Sequence, residues 1–174
     1  MSLRIALLGL LTASGPASGY DLTKLFESSI SNAWHARHSQ IYPELNKMAA
    51  EGLVTVDEEG PRGRKTYTIT EEGARELRTW LIEKEPSRSQ RSEVALRAFL
   101  LPTLEPHVAA ALLRAEAEVY GRRLAMLETI RATKSLAKQP DFGRHALELG
   151  IRQVRLLRDW SEETAADIEG STGS

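Results

Sequence analysis

Two side chains in the first half of the chain, Gln40 and Tyr42, have the chemistry to contact nucleic acid. A glutamine amide can pair with the N6 and N7 edge of adenine, and a tyrosine can reach a phosphate or a thymine methyl group. The predicted helix that carries them also exposes Ser39 and Lys47. The alternative is an ordinary solvated helix face. We predict that these four residues contact DNA.

The densest basic cluster of the first half lies in a predicted hairpin and consists of Arg62, Arg64 and Lys65. Because phosphate charge supplies most non-specific affinity for DNA, we expect these cations to contact the backbone, although a solvated hairpin would carry them equally well. Tyr20 and Lys24 stand at the start of another predicted helix, whose free N–H groups favour a phosphate. A second backbone contact is therefore expected there.

Four helices and a hairpin are predicted to position these side chains. Residues 3–11 are apolar on nearly every side, which indicates a buried first helix. Ser18, with an acid three residues later, has the pattern of a capping box at the start of the second helix. The third helix is expected to begin at Ser39, with Pro43 in its first turn, and to end at Gly52 in the left-handed conformation.

The hairpin follows directly. Residues 53–57 and 64–70 read as strands around a tip at 58–63 that is rich in glycine and proline, which predicts a two-stranded wing. Thr70 is the expected cap of the fourth helix. Its predicted apolar face consists of Ala74, Leu77, Trp80 and Leu81. This arrangement suits DNA, because the major groove admits one helix and a cationic hairpin can reach the flanking backbone.

The second half is predicted to be helical. Residues 86–92 read as a linker, and helices are expected over 94–101, from Pro106 to about residue 138, and from Phe142 onward. The apolar stripes of the two long helices are wider than one packing partner can cover. We predict a dimerisation arm that packs on the same arm of a second chain. The alternative is a helical satellite folded on its own N-terminal domain.

Composition excludes several classes of function. The 174 residues include no cysteine, so disulfides and thiolate sites are absent. Residues 1–85 hold 10 Lys and Arg against 12 Asp and Glu, so any DNA contact must depend on locally placed cations. Neither a phosphate-cradling glycine loop nor a nucleophile elbow is present, and His35 and His38 lack a third ligand. No enzyme, cofactor or metal is expected.

The N-terminal apolar run, residues 5–11, is short for the core of a signal peptide and follows a single positive charge. No stretch approaches the roughly 18 apolar residues of a spanning helix. A cytoplasmic protein without a membrane partner is therefore expected.

Several segments between residues 3 and 81 occur in the order and at the spacing of one known family. They are Ala6-Leu-Leu-Gly-Leu-Leu, Ser18-Gly-Tyr-Asp-Leu, Trp34, Ser39-Gln-Ile-Tyr-Pro-Glu-Leu45, Glu51-Gly-Leu-Val54 and Arg64-Lys-Thr-Tyr-Thr-Ile-Thr-Glu-Glu-Gly73. In these segments the chain resembles the PadR family of transcriptional regulators, in the branch with a long helical C-terminal domain. The wing tip at 60–63 departs from the Arg-Pro-type sequence that the family often places there.

The resemblance implies a fold that is mainly α with a small β-wing: a winged helix-turn-helix over 1–85, a linker over 86–92 and a helical domain over 93–170. It also implies a repressor that acts as a homodimer on an inverted-repeat operator in double-stranded DNA. The competing class is a winged-helix module that binds protein and not DNA.

Members of this branch often release DNA when a small, frequently aromatic molecule binds. We therefore expect an effector pocket where the winged domain meets the helical arm, because ligand pockets favour domain interfaces. Its aromatic candidates, for which core packing is the alternative role, are Trp34, Trp80 and Tyr120.

Overall fold

The chain forms two compact units, an N-terminal unit from Met1 to Pro86 and a C-terminal unit from Ser87 to Ser174. Each unit has its own apolar core. The expected fold, mainly α with a small β-wing, is confirmed. The computed structural model describes residues 3–29, 38–60, 64–86, 92–135 and 143–171.

The described residues of the N-terminal unit form four helices and a small sheet. The strands form one antiparallel sheet in the order β1-β3-β2, in which Tyr67 pairs with Ala17 on one side and with Val56 on the other. The elements are α1 (Leu3–Ser14), β1 (Ala17–Ser18), α2 (Gly19–Ser29), α3 (His38–Ala50), β2 (Val54–Gly60), β3 (Arg64–Ile69) and α4 (Glu71–Glu83).

The first helix, α1, lies at the centre of this unit and packs against α2, α3, α4 and β3. Leu7, Leu8 and Leu11 are almost completely buried. Burying one leucine side chain contributes about 1.5–3 kcal/mol relative to exposure. A helix that is apolar nearly all round can therefore be surrounded by four elements, and Gly15, with φ of 74°, ends it.

Two predictions about α3 and the wing were wrong. The wing sheet has a third strand, β1, whose two residues are too few to show any alternation in the sequence. The helix α3 begins at His38, so Pro43 lies in its second turn and not in its first. The carbonyl oxygen of Ser39 therefore lacks its helical N–H, and because Ser39 is exposed, water can take that place.

The buried face of α4 also differs from the prediction. Ala74 and Leu81 are exposed, whereas Leu77 and Trp80 are partly buried. The buried residue of this helix is Gly73, where a Cβ atom would lie 2.2 Å from the carbonyl oxygen of Leu53. Glycine thus lets α4 approach the chain just before β2, and this close contact determines which face turns inward.

In the part of the C-terminal unit that the structure describes, the helices are α5 (Glu93–Leu100), α6 (Pro106–Ser135) and α7 (Arg144–Ser171), with a 3₁₀ turn over Leu101–Thr103. The expected start at Pro106 is confirmed, whereas the predicted limits near residue 138 and at Phe142 lie outside the described residues. The two long helices pack along each other around two apolar clusters. Charged pairs, such as Arg155 with Glu128 at 2.8 Å, join them at the surface.

Much apolar surface of the C-terminal unit remains uncovered within this chain. The helix α5 buries none of its residues, and Phe99 is 79% exposed. Val108, Val119 and Leu149, which the sequence placed in the apolar stripes, are also exposed.

Candidate nucleic-acid interface

The start of α2 is organised by the predicted capping interaction. The hydroxyl of Ser18 accepts a hydrogen bond from the N–H of Asp21 at 3.2 Å, and the Asp21 carboxylate accepts from both the hydroxyl and the N–H of Ser18. This reciprocal pattern satisfies amides at both ends of the cap. It holds Gly19 and Tyr20 in the first turn, with the Tyr20 ring 57% exposed.

The third helix meets this first turn through Tyr42. A Cβ atom on Gly19 would lie 2.5 Å from Cε1 of the Tyr42 ring, so the ring and the backbone of α2 are in close contact. The Tyr42 side chain is nevertheless 50% exposed. Glycine at position 19 is therefore what allows the ring to lie against α2.

The sheet completes the site from the other side. Tyr67 of β3 is buried between its two neighbouring strands, and Lys65, two residues earlier on the same strand, is exposed. Together, α2, α3 and β3 enclose an open groove of about 590 Å³, which we call the α2–α3–β3 groove. Its walls are formed by Ser18, Gly19, Tyr20, Tyr42, Asn46, Lys65 and Tyr67.

The outward surface of α3 has two flanks. Because an α-helix turns about 100° per residue, Gln40 and Tyr42 lie about 160° apart around its axis, whereas Asn46 lies about 40° from Tyr42. Gln40 and Ser39 are exposed but do not line the α2–α3–β3 groove. Lys47 lies on the flank of Gln40, which faces a different groove.

The predicted site residues are therefore only partly gathered in one place. Tyr20, Tyr42 and Lys65 line the α2–α3–β3 groove, and the Lys24 ammonium lies 4.6 Å from the centre of the Tyr20 ring. For Arg64, only its backbone in β3 belongs to the described part of the chain, and Arg62 lies outside it.

Sequence reasoning missed four wall residues of this groove, Ser18, Gly19, Asn46 and Tyr67, and assigned Ser18 only the role of a helix cap. The four-residue spacing of Tyr42 and Asn46 was a usable signal, because residues that far apart share one side of a helix.

A second groove of the N-terminal unit surrounds Arg4. Its guanidinium pairs with Glu44 at 3.2 Å, Glu51 at 2.7 Å and Glu76 at 3.7 Å, and so joins α1 to α4, to the middle of α3 and to the residue that follows α3. Burial opposes this charge, but the hydrogen bond to Glu44 and the two other carboxylates outweigh it and raise the pKa of Arg4. These carboxylates neutralise the charge of Arg4, whereas Lys47 and Lys84 add cations to the lining of the same groove.

The aromatic candidates for an effector pocket lie in separate units. Trp80 lines the Arg4 groove of the N-terminal unit. Tyr120 lies in the C-terminal unit beside a small apolar cavity of about 40 Å³, whose walls also include Trp160 and Leu112. Burial, reinforced by the charge of Glu116, raises the pKa of the Tyr120 phenol. Trp34 lies outside the described residues.

Within the described ranges, no group of three or more His, Asp or Glu side chains has the arrangement of a metal site. No helix in that same part of the chain is long and apolar enough to cross a membrane.

Three helices followed by a short antiparallel hairpin, with one helix displayed outward beside it, define a winged helix-turn-helix domain. The comparisons with known proteins agree. Residues 7–79 match the Transcriptional regulator PadR-like family, and residues 90–169 match the Virulence activator alpha C-term family. The chain belongs to the PadR family of transcriptional regulators, as the sequence resemblance predicted.

Its similarity to individual members extends from sequence to fold. The Negative transcriptional regulator PadR of Bacillus subtilis (strain 168) is 51% identical over 53 residues, which are 30% of this chain and 29% of that protein. The crystal structure of Bacillus subtilis PadR in complex with operator DNA has a TM-score of 0.84 at 32% identity, over 95% of this chain and 98% of that one. The complex of that protein with p-coumaric acid has a TM-score of 0.84 at 31% identity, over 96% and 95%.

Proposed function

We propose that this protein binds duplex DNA through the outward face of α3 and the α2–α3–β3 groove, and that it represses transcription as a cytoplasmic homodimer on an inverted-repeat operator. The observation that carries the proposal is the groove itself. Two exposed aromatic side chains, an amide and a cation from three different elements line it. They are Tyr20 of α2, Tyr42 and Asn46 of α3, and Lys65 of β3.

The dimensions of this surface suit B-DNA. The major groove is about 12 Å wide and accepts one α-helix, so α3 is the element that would enter it. The start of α2 would then face one phosphate backbone, and β3 would place Lys65 near the other side of the groove. The crystal structure of the related Bacillus subtilis PadR in complex with operator DNA supports DNA binding by the present chain.

Charge sets how strongly such a surface can bind. Residues 1–85 carry 10 Lys and Arg against 12 Asp and Glu, so there is no general attraction to polyanions. Affinity would come from a few cations near the groove, chiefly Lys65 and Lys24, with Arg62 and Arg64 of the wing. Each phosphate contact should then steepen the slope of log affinity against log salt concentration by about 1.

The C-terminal unit supports the homodimer. Contiguous exposed apolar surface on a soluble domain marks an interaction site. A second copy of the same three helices is the partner that would bury these side chains, and it would also supply a second α3. The exposed apolar residues of this unit are Leu96, Phe99, Leu100, Leu104, Val108, Val119, Met126, Leu149 and Leu156.

A small aromatic effector is the third part of the proposal. It is supported by the p-coumaric acid complex of the related Bacillus subtilis PadR and by the aromatic surroundings of Tyr120. The cavity beside Tyr120 holds about 40 Å³. An engineered cavity that accepts benzene is several times larger, about 150 Å³, so a ring could enter only if this cavity opened. Trp34 and Trp80 of the N-terminal unit remain separate proposed candidates for contacting an effector.

The test is the affinity of the full chain for the DNA upstream of its own gene, measured by fluorescence anisotropy beside a shuffled duplex. We expect tighter binding to the upstream duplex. Lys65→Ala should weaken binding to both duplexes alike and lower the slope of log affinity against log salt by about 1. Arg78→Ala is the matched control, because Arg78 is an exposed cation of α4 that lines neither groove.

Binding that ignores sequence and responds equally to Lys65→Ala and Arg78→Ala would contradict the proposal. The absence of any binding would favour the protein-interaction module instead.

A further inference from the structure

The exposed amide of Asn46 lies one turn after Tyr42 on α3 and forms part of the wall of the α2–α3–β3 groove. Among the described residues, its side chain makes no hydrogen bond to the protein. Asparagine is also a weaker helix former than alanine. Asn46 therefore makes no hydrogen bond that stabilises the described fold, and its exposed position could accept many other residue types.

The chemistry of the amide fits one base edge in particular. A carboxamide presents a donor and an acceptor side by side, which matches the N6 and N7 positions of adenine in the major groove. Lysine or arginine at this position would instead favour the two acceptors of guanine. The side chain of Asn46 thus has the hydrogen-bonding pattern of a reader of adenine.

Its position separates it from the other amide of α3. Gln40 lies about 120° away around the helix and does not line the groove, whereas Asn46 lies beside Tyr42. The Tyr42 ring is itself held by its contact with Gly19. An amide next to a fixed ring has fewer orientations to lose on binding, and such preorganisation favours specificity.

We propose that Asn46 is a specificity-determining residue, which pairs with an adenine in each half-site and makes that base pair a fixed position of the operator. The inference rests on the proposed DNA-binding function and assigns its selectivity to one side chain.

The experiment is selection of preferred sequences from a randomised duplex pool by the full-length protein, followed by competition binding. For the wild-type chain we expect one adenine per half-site that Asn46→Ala no longer selects. Substituting that adenine should weaken wild-type binding about 5- to 150-fold and leave Asn46→Ala nearly unaffected, as the loss of one bidentate contact requires. Asn46→Asp should shift the preference toward cytosine, whose N4 amino group donates to a carboxylate.

Two controls keep this outcome separate from folding and from the wider proposal. Asn46→Ala should melt at the same temperature as the wild type or slightly above it, because alanine is the better helix former. Gln153→Ala removes an exposed amide from α7 and should leave the selected sequence unchanged. If the wild type selects a defined sequence and Asn46→Ala selects the same one, the assignment of Asn46 is wrong and the DNA-binding function stands. If the wild type selects no sequence at all, both are overturned.

Discussion

The Tyr42 ring of α3 packs against the backbone of Gly19 in α2, and this contact joins the two helices in the wall of the α2–α3–β3 groove. Tyr42 is half exposed, so its ring depends on few other neighbours for its position. The 2.5 Å distance from a Cβ at position 19 to the ring means that any larger residue there must displace it. Because an exposed ring can rotate away, the fold should survive this displacement and the groove should not.

Gly19→Ala should therefore reduce operator affinity without unfolding the protein. We expect a loss comparable to that of Tyr42→Ala, with an unfolding free energy within about 1 kcal/mol of the wild type, since the collision is with a movable side chain. Gly9→Ala is the matched control, because a Cβ at Gly9 meets nothing within 4 Å. That change should stabilise α1 by about 0.5–1 kcal/mol and leave DNA binding unaltered. Full operator affinity in Gly19→Ala would show that the position of the Tyr42 ring does not matter.

Local residue patterns were predictable at this scale, and contacts between elements were not. The cap at Ser18 and the left-handed turn at Gly52, with φ of 75°, depend on residues close in sequence, and both are confirmed. The role of Gly19 depends on where α3 approaches, and α3 lies some 20 residues further along the chain. A single sequence does not show how closely α3 approaches Gly19 in space. Only some of the residues that form the groove wall could therefore be predicted.

At the scale of elements, the long helices and the hairpin were predictable from the periodicity of apolar residues. The structure differs from the prediction where two elements pack very closely or where an element is very short. The two-residue strand β1 could not be seen, and Gly73 turned the inward face of α4 away from Ala74. The sequence predicted apolar stripes on both long helices, and the structure adds their pairing, α6 with α7. Its surface is marked by the exposed pair of Arg114 and Glu169.

This pair gives a titration that reports directly on the packing of α6 against α7. The hydrogen bond from Arg114, reinforced by its charge, lowers the pKa of the Glu169 carboxyl. A lowered pKa in the folded state means that the pair stabilises the fold above the ordinary pKa of glutamate, and that this contribution is lost as pH falls through the lowered value. Carbon-detected NMR should find the Glu169 pKa below its usual range in the wild type and restored in Arg114→Gln. An identical titration in both proteins would mean that the two helices do not hold these side chains together.

At the scale of the whole molecule, the uncovered apolar surface of the C-terminal unit predicts self-association. Phe99→Glu in α5 places a charge where an apolar contact is expected, so sedimentation should show a monomer at concentrations where the wild type is a dimer. The variant should also bind the operator more weakly, because two linked readers make the second contact intramolecular. Leu81→Glu is the control, as a 65% exposed leucine of the N-terminal unit. A dimeric Phe99→Glu protein would move the interface away from α5.

The proposed effector regulation is a property of the whole molecule, because it couples two sites. A ligand can loosen DNA only by binding the DNA-free form more tightly, and DNA must then weaken the ligand by the same factor, typically about 5–150-fold. The affinity for small aromatic acids can be followed by tryptophan fluorescence with and without operator, and the operator affinity can be measured with and without the acid. The two affinities should fall by the same factor. Trp160→Phe should reduce the quenching if the ligand enters the cavity beside Tyr120. Quenching that leaves operator affinity unchanged would show binding without regulation.

The central claim, that a symmetric pair of α3 helices reads DNA, is tested most directly by a hydroxyl-radical footprint of the full chain on its upstream duplex, with the bound stoichiometry measured on the same complex. We predict two protected stretches related by an inverted repeat, with centres about 34–36 Å apart, one helical turn, and two chains per duplex. Protection of a single half-site by one chain, or no protected stretch at concentrations that leave random DNA unbound, would contradict the claim.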